Sequence, residues 1–449
     1  MSNFLTEIVD SLKRPVKRAR AQSELMRDVK RVLALAETLL SNRGEASGVA
    51  LARELLAGYG ELSEEARQTW FLGLLSAQFN AAPMRVAQAY AAYEKSPNAA
   101  TARALHQAAE PPRQELLRRL NLAPGGTHAL VRMREDLLRS LPTQPSLASV
   151  DADFAHLFAS WFNRGFLSLR LIDWSTPAHI LEKIIHYEAV HAIQSWDDLR
   201  ARLAPPDRRC FAFFHPALVD EPLIFVEVAL CAEMPDAIAP LIDPQRVPLE
   251  GSMLTKEATT AVFYSISNCQ DGLRGVSFGN FLIKQVVEEL KREANALPAL
   301  KTFVTLSPVP GFVAWLNKER KAKQTALNFV ELANLQAIDQ PIWPEDPSQV
   351  RLLRPLLNRL MTQYLVETKS RNGRPLDAVA RFHLGNGARL ERLNWLGDRS
   401  AKGLAQSAGM MVNYLYDLSD IESNHEAYAN QHRVVASRAV TRMLKLNRA

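Results

Sequence analysis

The apolar stretch Phe303–Leu306 runs into Ser307, Pro308, Val309, Pro310 and Gly311. Neither proline has an N–H for a sheet ladder, and a residue before a proline is pushed toward extended backbone, so strand pairing is expected to stop at Ser307. Its hydroxyl would then stand at the C-terminal end of a strand, where open α/β sheets bind ligands. No G-x-S-x-G elbow surrounds Ser307, which argues against a lipase-like nucleophile. A second candidate, His383, precedes the turn Gly385-Asn386-Gly387. Imidazole gives or takes a proton near neutral pH, although a histidine beside a turn is more often only hydrogen-bonded locally. The same turn imitates a dinucleotide fingerprint and fails it, because Leu390 occupies the third glycine position and the following residues alternate like a strand. A third candidate is the loop "QDGLRGVSFGN", with Gly272, Gly275 and Gly279 just ahead of a helical stretch. Glycines let backbone N–H groups approach a ligand, and a helix N-terminus favours anions, so this loop suits a phosphate or diphosphate, with Arg274 adding charge. A glycine-rich connection with only a packing role is the competing reading.

Other chemistry is excluded by spacing. His186 and His191 in "HYEAVH" are five apart, off the i, i+4 face of a helical zinc site, and HExxH is absent. Cys210, Cys231 and Cys269 are odd in number and widely spaced, which gives neither a disulfide framework nor a CxxC metal pair. The net charge of +6 mildly favours an anionic partner. The basic cluster "KRPVKRARAQ" lacks interleaved aromatics, so no nucleic acid is expected as partner. With 47% hydrophobic and 23% charged residues and no apolar run of membrane-spanning length, no membrane is expected either.

The elements that must hold these residues change character along the chain. In "DVKRVLALAETLLS", Val29, Val32, Leu33, Ala36, Leu39 and Leu40 form one helical stripe. Similar stretches follow, separated by Gly44, Gly60, Pro83, Pro97 and Pro124, the texture of a helical bundle with short loops. Past about residue 170 come short runs rich in Phe, Val and Ile ("CFAFFHP", "PLIFVEVALC", "TAVFYSISNC", "KTFVTLSP"), with helical patterns between and after them. The expectation is a helical domain over 1–170 and a mixed α/β domain over 171–449.

Taken together, "FYSISNCQDGLRGVSFGNFLIKQVVEELK", "LSPVPGF", "FHLGNGARLERLNWLGD", "GMMVNYLYDL" and "LEKIIHYEAVHAIQSWDDL" resemble malonyl-CoA decarboxylases, in unbroken order from about residue 175 to 420. The resemblance implies an N-terminal helical bundle that mediates oligomerisation, as a tetramer or dimer, followed by a GNAT-like, acetyltransferase-type α/β catalytic domain. It implies that Arg274, Gly275, Val276, Ser277, Phe278, Gly279 and Asn280 bind the diphosphate and pantetheine arm of coenzyme A through backbone amides. The family often carries an acidic residue where Ser277 stands, a departure that leaves those backbone contacts intact. The catalytic serine and histidine of the family fall on Ser307 and His383, and a tyrosine that helps hold the substrate falls on Tyr416.

The reaction so implied converts malonyl-CoA to acetyl-CoA and carbon dioxide through a thioester enolate. It needs donors for the enolate oxygen, a fixed carboxylate and an acid. Ser307 is expected to position the carboxylate or the histidine, and His383 to donate the proton, with a relay through Ser307 as the reverse possibility. No metal, biotin or pyridoxal cofactor is expected, because the thioester is the electron sink and coenzyme A is part of the substrate. The alternatives are a GNAT-type acyltransferase and a non-catalytic acyl-CoA-binding scaffold. The chain ends "KLNRA" and opens without a long leader, so a cytoplasmic location is expected.

Overall fold

The stripe read from the sequence is the buried face of α1 (Ser2–Ser41): Val29, Val32, Ala36 and Leu39 are buried, and Leu33 and Leu40 are half-buried. The computed structural model describes residues 2–41, 44–276, 282–293, 297–322, 327–340 and 342–444. These fall into two compact units, Met1–Phe166 with His215–Val219 and Gln270–Phe278, and Leu167–Phe214 with Asp220–Cys269 and Gly279–Ala449.

In the first unit α1 is followed by α2 (Glu45–Glu61), α3 (Glu64–Gly73), α4 (Pro83–Lys95), α5 (Ala99–Ala109), α6 (Pro112–Asn121), α7 (Gly126–Ser140) and α8 (Ala148–Trp161). Gly44 is the N-cap of α2 and Pro83 opens α4, where a missing N–H costs nothing. Gly60 is no break; it lies inside α2. Edge-to-face packing of Tyr59, Trp70 and Phe71 fills the centre, with Trp70 and Phe71 fully buried.

This unit also takes part of the glycine-rich loop, which the sequence assigned to the α/β domain. Arg134 of α7 donates to the carbonyls of Gly272 (2.8 Å) and Arg274 (2.9 Å). Gly272 lies so close to α7 that a Cβ there would sit 1.9 Å from the Val131 carbonyl oxygen. Gly272 therefore has a packing role.

The second unit is built on strands β1 (Ser168–Ile172), β2 (Arg208–Phe214), β3 (Pro222–Cys231), β4 (Thr260–Asn268), β5 (Thr302–Thr305), β6 (Ser307–Pro308), β7 (Arg389–Asn394) and β8 (Met411–Leu415). The order is β1-β2-β3-β4-β5-β8-β6, with β7 pairing β8. All pairs are antiparallel except β4 with β5, whose parallel pairing requires a crossover, here containing α11 (Leu282–Arg292). α9 (Ala178–Tyr187) and α10 (Trp196–Leu203) cover one sheet face through Ile180, Leu181, Ile184, Leu199 and Leu203 against Cys210, Ala212, Phe214 and Phe225. A helical region followed by a mixed α/β unit is thus the class observed.

Pairing does not stop at Ser307 on both sides. β4 pairs β5 only to Thr305, whereas Ser307 and Pro308 pair with Val412 and Met411 of β8. A proline loses its donor and keeps its carbonyl, so a two-residue pairing on one side tolerates it.

Candidate active site

Side chains alternate along a strand, so Thr305 and Ser307 share one face of the sheet, as do Tyr414 and Tyr416 of β8 and its continuation. His383 reaches them from the last turn of α12 (Ala378–Gly385). That helix is set by its N-cap, Asp377, whose carboxylate accepts from the Ala380 N–H at 2.9 Å. It ends in a turn where Gly387 has φ +82° and a Cβ would meet the Ile421 carbonyl oxygen at 2.3 Å. Asn424 and His425, to which the sequence gave no role, hold this turn: Asn424 Nδ2 donates to the Gly387 carbonyl (3.2 Å), and His425 Nδ1 lies 2.9 Å from the Gly385 carbonyl oxygen.

The structure brings Ser307, His383 and Tyr416 together. His383 Nε2 lies 3.1 Å from Ser307 Oγ, and Nδ1 lies 2.8 Å from the Tyr416 hydroxyl. The Tyr414 ring stacks on the imidazole at 4.7 Å between centroids, and Phe263 packs edge-on against Tyr416. Ser307 is 5% and His383 2% exposed, so bulk water does not compete for these contacts.

Burial pushes the His383 pKa down to about 3, because the low-dielectric surroundings penalise imidazolium. The ring is therefore neutral at physiological pH and carries a single N–H. Burial likewise raises the Tyr414 and Tyr416 hydroxyls well above the ordinary phenol value, so both are protonated at rest.

Two residues overlooked in the sequence complete the arrangement. Ser307 Oγ donates to Thr305 Oγ1 at 2.9 Å, and the same oxygen accepts the Tyr414 backbone N–H at 3.1 Å. Thr305 and Tyr414 each stand two residues from a candidate on the same strand, and that period-2 neighbourhood is the signal that would have found them.

The loop expected to bind coenzyme A is described only in part. Arg274 is exposed and pairs with Asp271 at 3.5 Å, Gly275 has φ +79° and a Cβ there would meet nothing within 4 Å among the described residues, and Val276 is buried, all in the helical unit. Ser277, Phe278, Gly279 and Asn280 lie outside the described residues. Among the described residues no three His, Cys, Asp or Glu side chains are placed to hold a metal ion. The "HYEAVH" motif is structural: Glu188 accepts from Ser265 Oγ (2.7 Å) and from the His191 N–H (2.7 Å), and burial lowers the His191 pKa to about 4. Among the described residues no helix is long and apolar enough to cross a membrane.

Residues 165–449 match the family described as malonyl-CoA decarboxylase C-terminal domain, and residues 79–162 match the malonyl-CoA decarboxylase N-terminal domain. The chain is 35% identical over 419 residues to the mitochondrial malonyl-CoA decarboxylase of Anser anser anser, a match covering 86% of this chain and 82% of the relative. The crystal structure of malonyl-CoA decarboxylase from Rhodopseudomonas palustris superposes with a TM-score of 0.88 at 57% identity, covering 93% of this chain and 99% of that one. That of the Agrobacterium vitis enzyme gives 0.85 at 56% identity, covering 92% and 99%.

Proposed function

The chain belongs to the malonyl-CoA decarboxylase family, and from that premise we propose that it removes carbon dioxide from malonyl-CoA with Ser307, His383 and Tyr416 as its working side chains. It is a carboxy-lyase. The observation that carries the residue assignment is a buried, neutral imidazole held at both nitrogens, by Ser307 and by Tyr416.

When the bond between the malonyl α-carbon and its carboxylate breaks, the electron pair passes into the thioester carbonyl, giving an enolate and neutral carbon dioxide. The α-carbon then takes a proton. His383 gives it from Nε2, the enolate replacing Ser307 Oγ as the acceptor of that N–H. Nδ1 takes the Tyr416 proton in the same step, so the ring remains neutral; as product leaves, water returns a proton to Nε2 and Nδ1 hands its proton back to Tyr416, which restores the resting Nε2–H form. Ser307 serves by accepting from Nε2 and so fixing the ring, since its own hydrogen is committed to Thr305. The thioester is the electron sink, and the chemistry as written draws on no added cofactor. Residues 274–280 take the diphosphate of coenzyme A through backbone amides, and the helical unit mediates assembly into a homo-oligomer; both belong to the same proposal.

Ser307→Ala and His383→Ala test the assignment. Each is expected to lower kcat about 10²- to 10⁴-fold, the usual worth of a positioned acid, while acetyl-CoA still binds. Rates near wild type in both would overturn it.

A further inference from the structure

A neutral imidazole between two hydroxyls has two ways to satisfy its nitrogens. In one, Tyr416 donates to Nδ1 and Nε2–H donates to Ser307. In the other, Ser307 donates to Nε2 and Nδ1–H donates to Tyr416. The heavy-atom distances at His383 are the same for both, and only the first places the ring proton at Nε2, on the serine side.

What separates the two is the direction of the serine hydrogen, and that is set at Thr305. The pairings Val304 with Leu415 and Ser307 with Val412 belong to one continuous register between β5, β6 and β8, with the residues between them left out of the ladder. In the gap, side chains take over the backbone's hydrogen bonds. The Tyr414 N–H goes to Thr305 Oγ1, and the Thr305 carbonyl accepts from Asn413 Nδ2 at 2.7 Å. Asn413 is itself gripped, its Oδ1 accepting from Asn394 Nδ2 (2.8 Å) and Arg392 Nε (3.0 Å). Thr305 is thus anchored through both backbone and side chain, and it is fully buried. Its hydroxyl oxygen has two acceptor positions, one filled by the Tyr414 N–H and the other facing Ser307 Oγ at 2.9 Å. The serine hydrogen goes there.

We infer that Thr305 is a positioning residue which, by holding the Ser307 hydrogen away from His383, fixes the polarity of the chain Tyr416 to His383 to Ser307 to Thr305. The ring is thereby kept in the Nε2–H form that protonates the product carbon. This rests on the assignment of Ser307 and His383 given above. It goes further by naming why a strand residue that need not touch substrate sets which nitrogen bears the proton.

The test is the tautomer itself, read in the full-length protein labelled with ¹⁵N-histidine, in which protonated and bare ring nitrogens resonate far apart. The His383 signals are identified by their loss in His383→Gln. Wild type is expected to show Nε2–H. Thr305→Val, which keeps the shape and loses the hydroxyl, is expected to populate Nδ1–H and to lose about tenfold in kcat, the worth of one hydrogen bond, with KM for malonyl-CoA little changed. Thr305→Ser restores the acceptor and is expected to recover both the tautomer and most of the rate. Nδ1–H in wild type, an unchanged tautomer in Thr305→Val, or a Thr305→Ser variant as impaired as the valine would each overturn the inference. Failure of the underlying site reading looks different: Ser307→Ala and His383→Ala would then retain turnover whatever the ring nitrogens show.

Discussion

Among the described residues no carboxylate lies against the buried His383 ring to offset the cost of charging it, and its pKa falls to about 3. An imidazolium acid would lose activity as pH rose through the ordinary histidine value, about 6.5. A neutral imidazole that donates its N–H has the same form on both sides of that value. The profile of kcat/KM for malonyl-CoA is therefore expected to carry no falling limb centred near pH 6.5, and steady-state kinetics between about pH 5.5 and 8 would reveal one if the acid were imidazolium. Ser307 was legible because prolines mark where its strand is released, and His383 because a titratable side chain stands before a glycine turn. Tyr416 came only from family resemblance. Thr305 and Tyr414 were marked only by standing two residues from a candidate: a threonine in a strand otherwise reads as ordinary β-propensity, and its contact with the Tyr414 backbone N–H spans 109 residues of chain.

The elements bearing these side chains differ in how far sequence specifies them. Runs of Phe, Val and Ile announced β2, β3, β4 and β5, and a helical stretch after the glycine-rich loop announced α11. The arrangement of strands was hidden, since β8 inserts beside β5 from more than a hundred residues downstream, and no local pattern encodes that pairing. The continued pairing of Pro308 was missed for the same reason: the rule about prolines concerns a donor, and the partner strand decides whether one is needed. Gly387 shows an element-scale constraint that can be measured. Its positive φ and the Ile421 carbonyl leave no room for a Cβ, so Gly387→Ala is expected to destabilise the fold by at least about 1–3 kcal/mol. The loss should appear as a lower denaturant midpoint, with turnover falling as the end of α12 shifts. An alanine variant as stable as wild type would show that this turn does not fix the helix end.

At the scale of the molecule, composition and periodicity gave helices first and a mixed sheet second, and the two compact units follow that order along the chain. The glycine-rich loop did not obey it. Glycine in a sequence announces close approach without saying to what, and for Gly272 the neighbour is the backbone of α7. What the whole chain does rests on family membership joined to the buried Ser307–His383–Tyr416 chain. One experiment probes that conclusion directly: turnover of malonyl-CoA by the purified full-length protein in deuterium oxide, with products weighed by mass spectrometry. Equal amounts of carbon dioxide and acetyl-CoA are expected, each acetyl group carrying one deuterium delivered to the former malonyl carbon. Release of free coenzyme A without carbon dioxide would instead make the protein an acyl-transferring or hydrolytic enzyme, and the decarboxylation mechanism would fall.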